Sequence, residues 1–142
     1  MKYSHKLSDA VHILTFVEIC KDGDPSSNTI ASSVESNPSL VRRLMSLLVK
    51  ANLLTSQPGK VATKLARPAE TITLLDVYQA IEDNQQLLHV DEKTNPRCIV
   101  GGNIQDTLNV VYDHVQQAAE NSMNQVTLQA IIDDILVRNA SK

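Results

Sequence analysis

Apolar positions along the chain fall into a run of helical stripes, interrupted once by a short strand-like stretch. Val11, Ile13, Leu14, Val17 and Ile19 predict an amphipathic helix over residues 8–20, capped by Ser8 or Asp9 and ended by the turn residues Lys21-Asp22-Gly23-Asp24-Pro25. Ile30, Ala31 and Val34 predict a second helix that begins near Asn28, with Ser27 or Asn28 as its N-cap. After the break Ser36-Asn37-Pro38, the residues Leu40, Leu44, Leu47, Leu48 and Ala51 form one stripe of a third. Asn37 suits its N-cap, and Pro38 its first position, where a missing N–H is no loss. Two short apolar segments follow, Leu53-Leu54-Thr55 and Val61 to Ala66, with Pro58-Gly59 between them at the central positions of a type II turn.

Beyond the hairpin, Thr73 with Asp76 three residues on resembles a capping box, opening a helix that turns Leu74, Val77, Tyr78 and Ile81 inward and stops near Asp83-Asn84. Residues 85–102 carry no periodicity and read as an ordered loop with a sharp change of direction at Gly101-Gly102. Asn103 caps a long helix, with Asp106 complementing its dipole and Ile104, Leu108, Val111, Val115 and Ala118 or Ala119 forming a stripe of about five turns. A last helix places Leu128, Ile131, Ile132, Ile135 and Leu136 at regular i, i+3, i+4 spacing. The predicted class is mainly α: a winged helix-turn-helix with a small β-hairpin wing and a long C-terminal dimerisation helix. Its predicted organisation is a winged-helix DNA-binding domain over 1–83, a connecting or sensor loop over 84–102, and a dimerisation helix plus C-terminal helix over 103–142. Either the two last helices close the domain's own core, or the long one projects from a small winged-helix body and buries its stripe against a second copy. A winged helix of this size leaves little apolar surface for both, which favours the second copy.

Charge changes the picture. Six of the 13 basic residues and none of the 16 acidic ones fall between Ser36 and Ala69, so the rest of the chain carries seven basic residues against 16 acidic. These six are Arg42, Arg43, Lys50, Lys60, Lys64 and Arg67. A basic island kept by an acidic chain is the footprint of a phosphate-facing surface, and here it lies on a helix-turn-helix and its wing. The third helix can pack its stripe inward and offer Ser39, Arg42, Arg43, Ser46 and Lys50 to a groove. Arginine suits that position because its planar fork grips phosphates and reads guanine edges bidentately. The candidate DNA-binding residues are Ser39, Arg42 and Arg43 on the recognition helix, Ser27 and Asn28 at a helix N-terminus facing phosphate, and Gln57, Gly59 and Lys60 on the wing.

Composition mainly excludes. One Phe, three Tyr and no Trp give an aliphatic core and no stacking platform for single-stranded nucleic acid. No apolar run approaches a membrane span and the amino terminus lacks the apolar core of a signal peptide, so a cytoplasmic protein without a membrane partner is expected. Two cysteines, Cys20 and Cys98, make no disulfide framework. Cys20 reads as a small hydrophobe and His12 as a satisfied or surface histidine. Cys98 is the candidate redox sensor, its thiolate favoured by the neighbouring charge of Arg97. His89, Asp91 and Cys98 form the one conceivable metal cluster, but their irregular spacing and single sulfur argue against it, and no cofactor is expected. There is no phosphate loop and no nucleophile–base arrangement; Asp133 and Asp134 point to different helix faces, so no enzyme is expected.

Several phrases, in order, resemble the Rrf family of bacterial winged-helix regulators: Asp9-Ala10 through Leu14, Ile30-Ala31, Lys50-Ala51-Asn52-Leu53-Leu54, Ser56, Leu65-Ala66-Arg67-Pro68 and Ile72-Thr73-Leu74-Leu75-Asp76-Val77. The resemblance spans nearly the whole chain. It implies a homodimeric transcription regulator, a repressor, that binds a double-stranded DNA operator. It also implies that the helix from Pro38 to Asn52 enters the major groove and that the helix near 104–121 forms the dimer interface. Two departures are visible. Pro58 stands where many relatives carry a wing arginine for the minor groove, with Lys60-Val61-Ala62 replacing most of a glycine-rich run. The loop before the long helix holds one cysteine, where cluster-binding relatives place three. The chain thus resembles the cluster-lacking branch. The alternative class is a winged-helix module that binds protein and no DNA.

Overall fold

The computed structural model describes residues 4–23, 26–55, 63–82 and 86–142. Among them are six α-helices: α1 (Lys6–Ile19), α2 (Ser27–Val34), α3 (Pro38–Lys50), α4 (Leu74–Ile81), α5 (Ile104–Met123) and α6 (Leu128–Ala140). Between α3 and α4 lie two strands, β1 (Leu54–Thr55) and β2 (Lys64–Leu65), and a 3₁₀ turn, Ala69–Thr71. The strands pair antiparallel with Leu54 opposite Leu65 and Thr55 opposite Lys64. This is the expected hairpin, although its Pro58-Gly59 turn lies outside the described residues. The mainly helical class with a small wing is therefore as predicted.

Local chemistry explains most boundaries. Asn37 Oδ1 accepts the amide of Ser39 at 2.7 Å, and Pro38 occupies the first position of α3. Thr73 and Asp76 form a full capping box on α4: Thr73 Oγ1 accepts from Asp76 N at 3.1 Å, and Asp76 Oδ2 accepts from Thr73 N at 2.9 Å. Two helix starts differ from expectation. α1 begins at Lys6 with His5 at the cap position, so Asp9 falls in its first turn and Ser8 is not a cap. α2 is capped by Ser26, whose hydroxyl accepts from Thr29 N, so Ser27 and Asn28 are its first two helical residues and not caps. Asn103 stands at the start of α5 without capping it; its side-chain amide donates to Ile99 O at 2.8 Å. In the helix-turn-helix the chain turns at Glu35, which is left-handed (φ 57°), and just beyond the end of α3 it turns again at Asn52, also left-handed (φ 63°). Asn tolerates that region; Glu is held there by its own amide on Ala31 O and by Ser36 N on the same carbonyl at 3.0 Å.

The core sits under these helices. Ile13, Leu14 and Val17 of α1 meet Ile30 of α2, Val41, Leu44 and Leu48 of α3, and Leu53 and Leu54 at the base of the wing. Val41 completes the α3 stripe that Leu40 and Leu47 flank as partly buried residues, whereas Ala51 is exposed. Ile72, Val77 and Ile81 close the cluster from the side of α4. The start of α6 belongs to the same core. Leu128 N donates to Ile72 O at 2.8 Å, Leu74 N donates to Val126 O at 2.9 Å, and Leu128 and Ile132 are buried. Further along α6, Ile135, Leu136 and Val137 are exposed. α5 is different in kind: this 20-residue helix buries none of its side chains and meets the body at α4. Among the described residues no helix is long and apolar enough to cross a membrane.

Arg67 ties the wing to α4. Its guanidinium donates to Thr71 O at 2.6 Å and to Asp76 Oδ2 at 2.9 Å. It is thus a bracing residue, and the outward basic island is smaller than the sequence count by one. Thr73→Ala removes the hydroxyl half of the capping box and should cost about 1 kcal/mol. A lowered melting temperature, by about 4 °C in calorimetry, is the expected reading; an unchanged melting point would show that the box adds nothing.

Candidate nucleic-acid interface

The stripe of α3 that enters the core fixes what its other face must present. With Val41, Leu44 and Leu48 buried, Ser39, Arg42, Arg43, Ser46 and Lys50 are all exposed on the opposite side. Arg42 Nη2 donates to Ser39 Oγ at 3.3 Å, one turn back. Among the described residues none of Arg42, Arg43, Lys50 and Lys64 forms an ion pair with a carboxylate.

Ser27 lies beside this face. A shallow open groove is lined by Ser27 from α2, by Arg42, Met45, Ser46 and Val49 from α3, and by Thr63 at the base of the wing. It brings two candidate residues together, Ser27 and Arg42. Asn28, the next residue of α2, is exposed. The first turn of α2 carries backbone N–H groups that have no acceptor within the helix, so it adds positive potential at the same edge. Arg43 is exposed one residue further round α3. Gln57, Gly59 and Lys60 lie outside the described residues. The geometry adds residues that pattern reading did not assign. Thr63 lines the groove, and Lys64 is exposed on β2 with its carbonyl accepting from Thr55 Oγ1 at 3.3 Å. Lys64 was visible only as part of the basic count, because alternation in a two-residue strand does not say which face is open.

The loop before α5 is a chain of tight turns. Cys98 N donates to Asn95 O, Gly102 N to Cys98 O at 2.8 Å, and Asn103 N to Val100 O. A side chain at Gly101 would collide with Asn95 O, and one at Gly102 would lie 2.7 Å from Pro96 O, so both positions need glycine for close backbone approach. Cys98 is exposed, and the backbone amides of Gly101 and then Val100 hold its thiol below the ordinary cysteine range. The cause is therefore the loop's own amides and not the charge of Arg97. A lowered thiol pKa means thiolate persists to lower pH. Alkylation of Cys98 by iodoacetamide should thus rise with pH through a midpoint below the ~8.5 of a free cysteine. Cys20, half-buried beside Phe16 and Ile19, should react more slowly at every pH. Equal rates at the two cysteines, followed by peptide mass spectrometry, would contradict this. His12 is satisfied, its Nε2 lying 2.8 Å from Ser33 Oγ.

These parts make a winged helix-turn-helix transcriptional regulator: a third helix with one face in the core and a cationic face outside, flanked by a short hairpin. The chain belongs to the Rrf2 family, whose model, described as an iron-dependent transcriptional regulator, matches residues 3–134. It is 38% identical over 130 residues to YwnA of Bacillus subtilis (strain 168), classed as an HTH-type transcriptional regulator, with 92% of this chain and 96% of that protein covered. It superposes with a TM-score of 0.72 on a crystal structure described as that of a DNA-binding protein, 38% identical, covering 89% of this chain and 98% of the other. It shares its fold with CymR, the global cysteine regulator of B. subtilis, at a TM-score of 0.67 and 19% identity, over 94% of this chain and 97% of that one. The family and these relatives are regulators, not enzymes.

The family description raises the question of iron. An iron–sulfur cluster needs about four ligands, most often thiolates. The 86–102 segment offers one thiol, Cys98, and among the described residues no three His, Cys, Asp or Glu side chains converge on a common point. The donors present do not fit such a cluster.

Proposed function

We propose that the protein is a homodimeric, sequence-specific DNA-binding repressor. The observation that carries this reading is the exposed face of α3, where Arg42 and Ser46 line a groove edged by Ser27 of α2, Ser39 and Arg43 are exposed on the same helix, and no carboxylate among the described residues pairs with either arginine. α3 enters the major groove, Arg42 and Arg43 approach base edges or adjacent phosphates, Ser27 and Asn28 meet phosphate, and the wing residues Gln57, Gly59 and Lys60 track the backbone. The apolar stripe of α5 pairs with a second copy, so that two α3 helices meet half-sites one turn apart, roughly 34 Å, on a palindromic operator. A dimer seated on a promoter in this way excludes other proteins from it, which is repression. The YwnA and DNA-binding relatives support the DNA partner.

The test is selection of bound fragments from sheared genomic DNA, followed by titration of an enriched fragment at rising salt. Counterion release predicts that log affinity falls linearly with log salt, with a slope near −0.9 for each phosphate contacted. Enrichment of no fragment, or an affinity indifferent to salt, would replace this reading with a protein-binding winged helix. A second element of the proposal concerns the signal: an external oxidant takes two electrons and two protons from the Cys98 thiol and a second thiol, that of its dimer mate or of a small molecule, and the resulting disulfide shifts the DNA-binding heads. Its support is the exposure of Cys98 and its amide-stabilised thiolate. A Cys98→Ser protein that represses equally with and without oxidant would sink this element alone.

A further inference from the structure

Away from the basic face, a recess of ≈ 260 Å³ lies between the 86–92 segment and α5. Its α5 wall is formed by Gln105, Asn109, Tyr112 and Asp113, and its opposite wall includes His89 and Glu92. We propose that this cavity is an effector site for a small aliphatic amine, and that its occupation is passed to α4 and so to the DNA-binding body. The regulatory half rests on the DNA-binding reading above; the binding half does not.

Wall chemistry selects the ligand class. Glu92 and Asp113 bring two carboxylates, neither of which is in an ion pair among the described residues, and no Lys or Arg lines the described walls. An anion would be repelled, and an apolar molecule would strand amide and phenol groups away from water. An ammonium group offers three donors to carboxylate and amide oxygens. The volume corresponds to about eight or nine waters, which fits a short aliphatic chain and not a nucleotide or a peptide.

The same face of α5 carries the coupling. Gln116 Oε1 accepts from Leu87 N at 2.9 Å, while its Nε2 donates to Tyr78 Oη at 3.2 Å and to Glu120 Oε2 at 2.9 Å. Tyr78 is buried on α4, the element through which α5 meets the body. Gln105 Nε2 donates to Asp91 O at 3.0 Å, so the segment that walls the cavity is fastened to α5 at two points. A ligand that moves the segment acts on Gln116, and Gln116 is bonded to the buried face of α4.

The experiment titrates the full chain, without DNA, with putrescine, its neutral analogue butanediol and the dianion succinate, all on a four-carbon chain. Saturable binding of putrescine is expected, with much weaker binding of butanediol and none of succinate. Asp113→Asn and Glu92→Gln, both at exposed positions, should each weaken putrescine by about tenfold. Equal responses to putrescine and butanediol, or variants that bind putrescine as the native protein does, would overturn the site. Affinity for an enriched DNA fragment is then measured with and without putrescine at constant ionic strength, Asp113→Asn serving to subtract putrescine's own binding to DNA. A change confined to the native protein supports the coupling, and the same change in both overturns it. A protein that binds no DNA fragment overturns the function proposed above, while the titration alone still decides the site.

Discussion

Val111→Glu together with Val115→Glu is expected to turn the protein into a monomer of 15.6 kDa, read by light scattering, and to cut operator affinity by about 10²-fold or more. Both valines lie on the stripe of α5, 48% and 43% exposed, and this helix buries no side chain in its own chain. Burying such a side chain against a partner contributes about 1.5–3 kcal/mol, and a two-fold interface doubles every substitution. Glutamate is a better helix former than valine, so α5 itself should survive. The affinity loss follows because two tethered heads bind adjacent half-sites with an effective concentration that a single head lacks. A native protein already monomeric at micromolar concentration, or a variant that remains dimeric with full affinity, would remove α5 from the interface.

α6 shows where the sequence was ambiguous. Its regular stripe of Leu128, Ile131, Ile132, Ile135 and Leu136 fits either its own core or a partner equally well, since periodicity gives a face and not its destination. The structure divides the stripe. The pairing of residues 72–74 with 126–128 pulls Leu128 and Ile132 into the core, while Ile135 and Leu136 are left out. Such long-range backbone pairing has no local signal. Helix starts were legible where a side chain caps with its own neighbours, as at Asn37 and Thr73. The cap was missed by three or four residues at α1, where His5 holds the position without a side-chain bond, and by one or two at α2, where neighbouring Ser and Asn residues compete for the same role. For the candidate site, the exposed arginines of α3 followed directly from its apolar stripe. The bracing role of Arg67 did not, because it depends on Asp76 being brought beside it by the capping box. Gly101 and Gly102 announced a turn, but the lowering of the Cys98 thiol pKa depends on the Gly101 and Val100 amides, which only the folded loop directs at the sulfur.

The paired change Arg42→Ala with Arg43→Ala should abolish discrimination between an enriched operator and a scrambled duplex while leaving the fold intact. Each bidentate contact to a base contributes about 1–3 kcal/mol of discrimination, so losing two lowers specific affinity by about one to four orders of magnitude. The salt slope should also flatten by about one unit for each arginine that had neutralised a phosphate. Exposure of both side chains and the absence of any carboxylate partner among the described residues mean that the melting temperature should hold within about 2 °C. That combination separates recognition from architecture. Lys64→Ala is the comparison, because a phosphate contact from the wing would weaken operator and scrambled DNA alike. Since Arg42 is bonded to Ser39 and lines the groove beside Ser27, its single substitution should be partly reproduced by Ser39→Ala, whereas Arg43 should act independently. If the double variant kept its preference for the operator, the exposed face of α3 would not be the reading surface, whatever its charge.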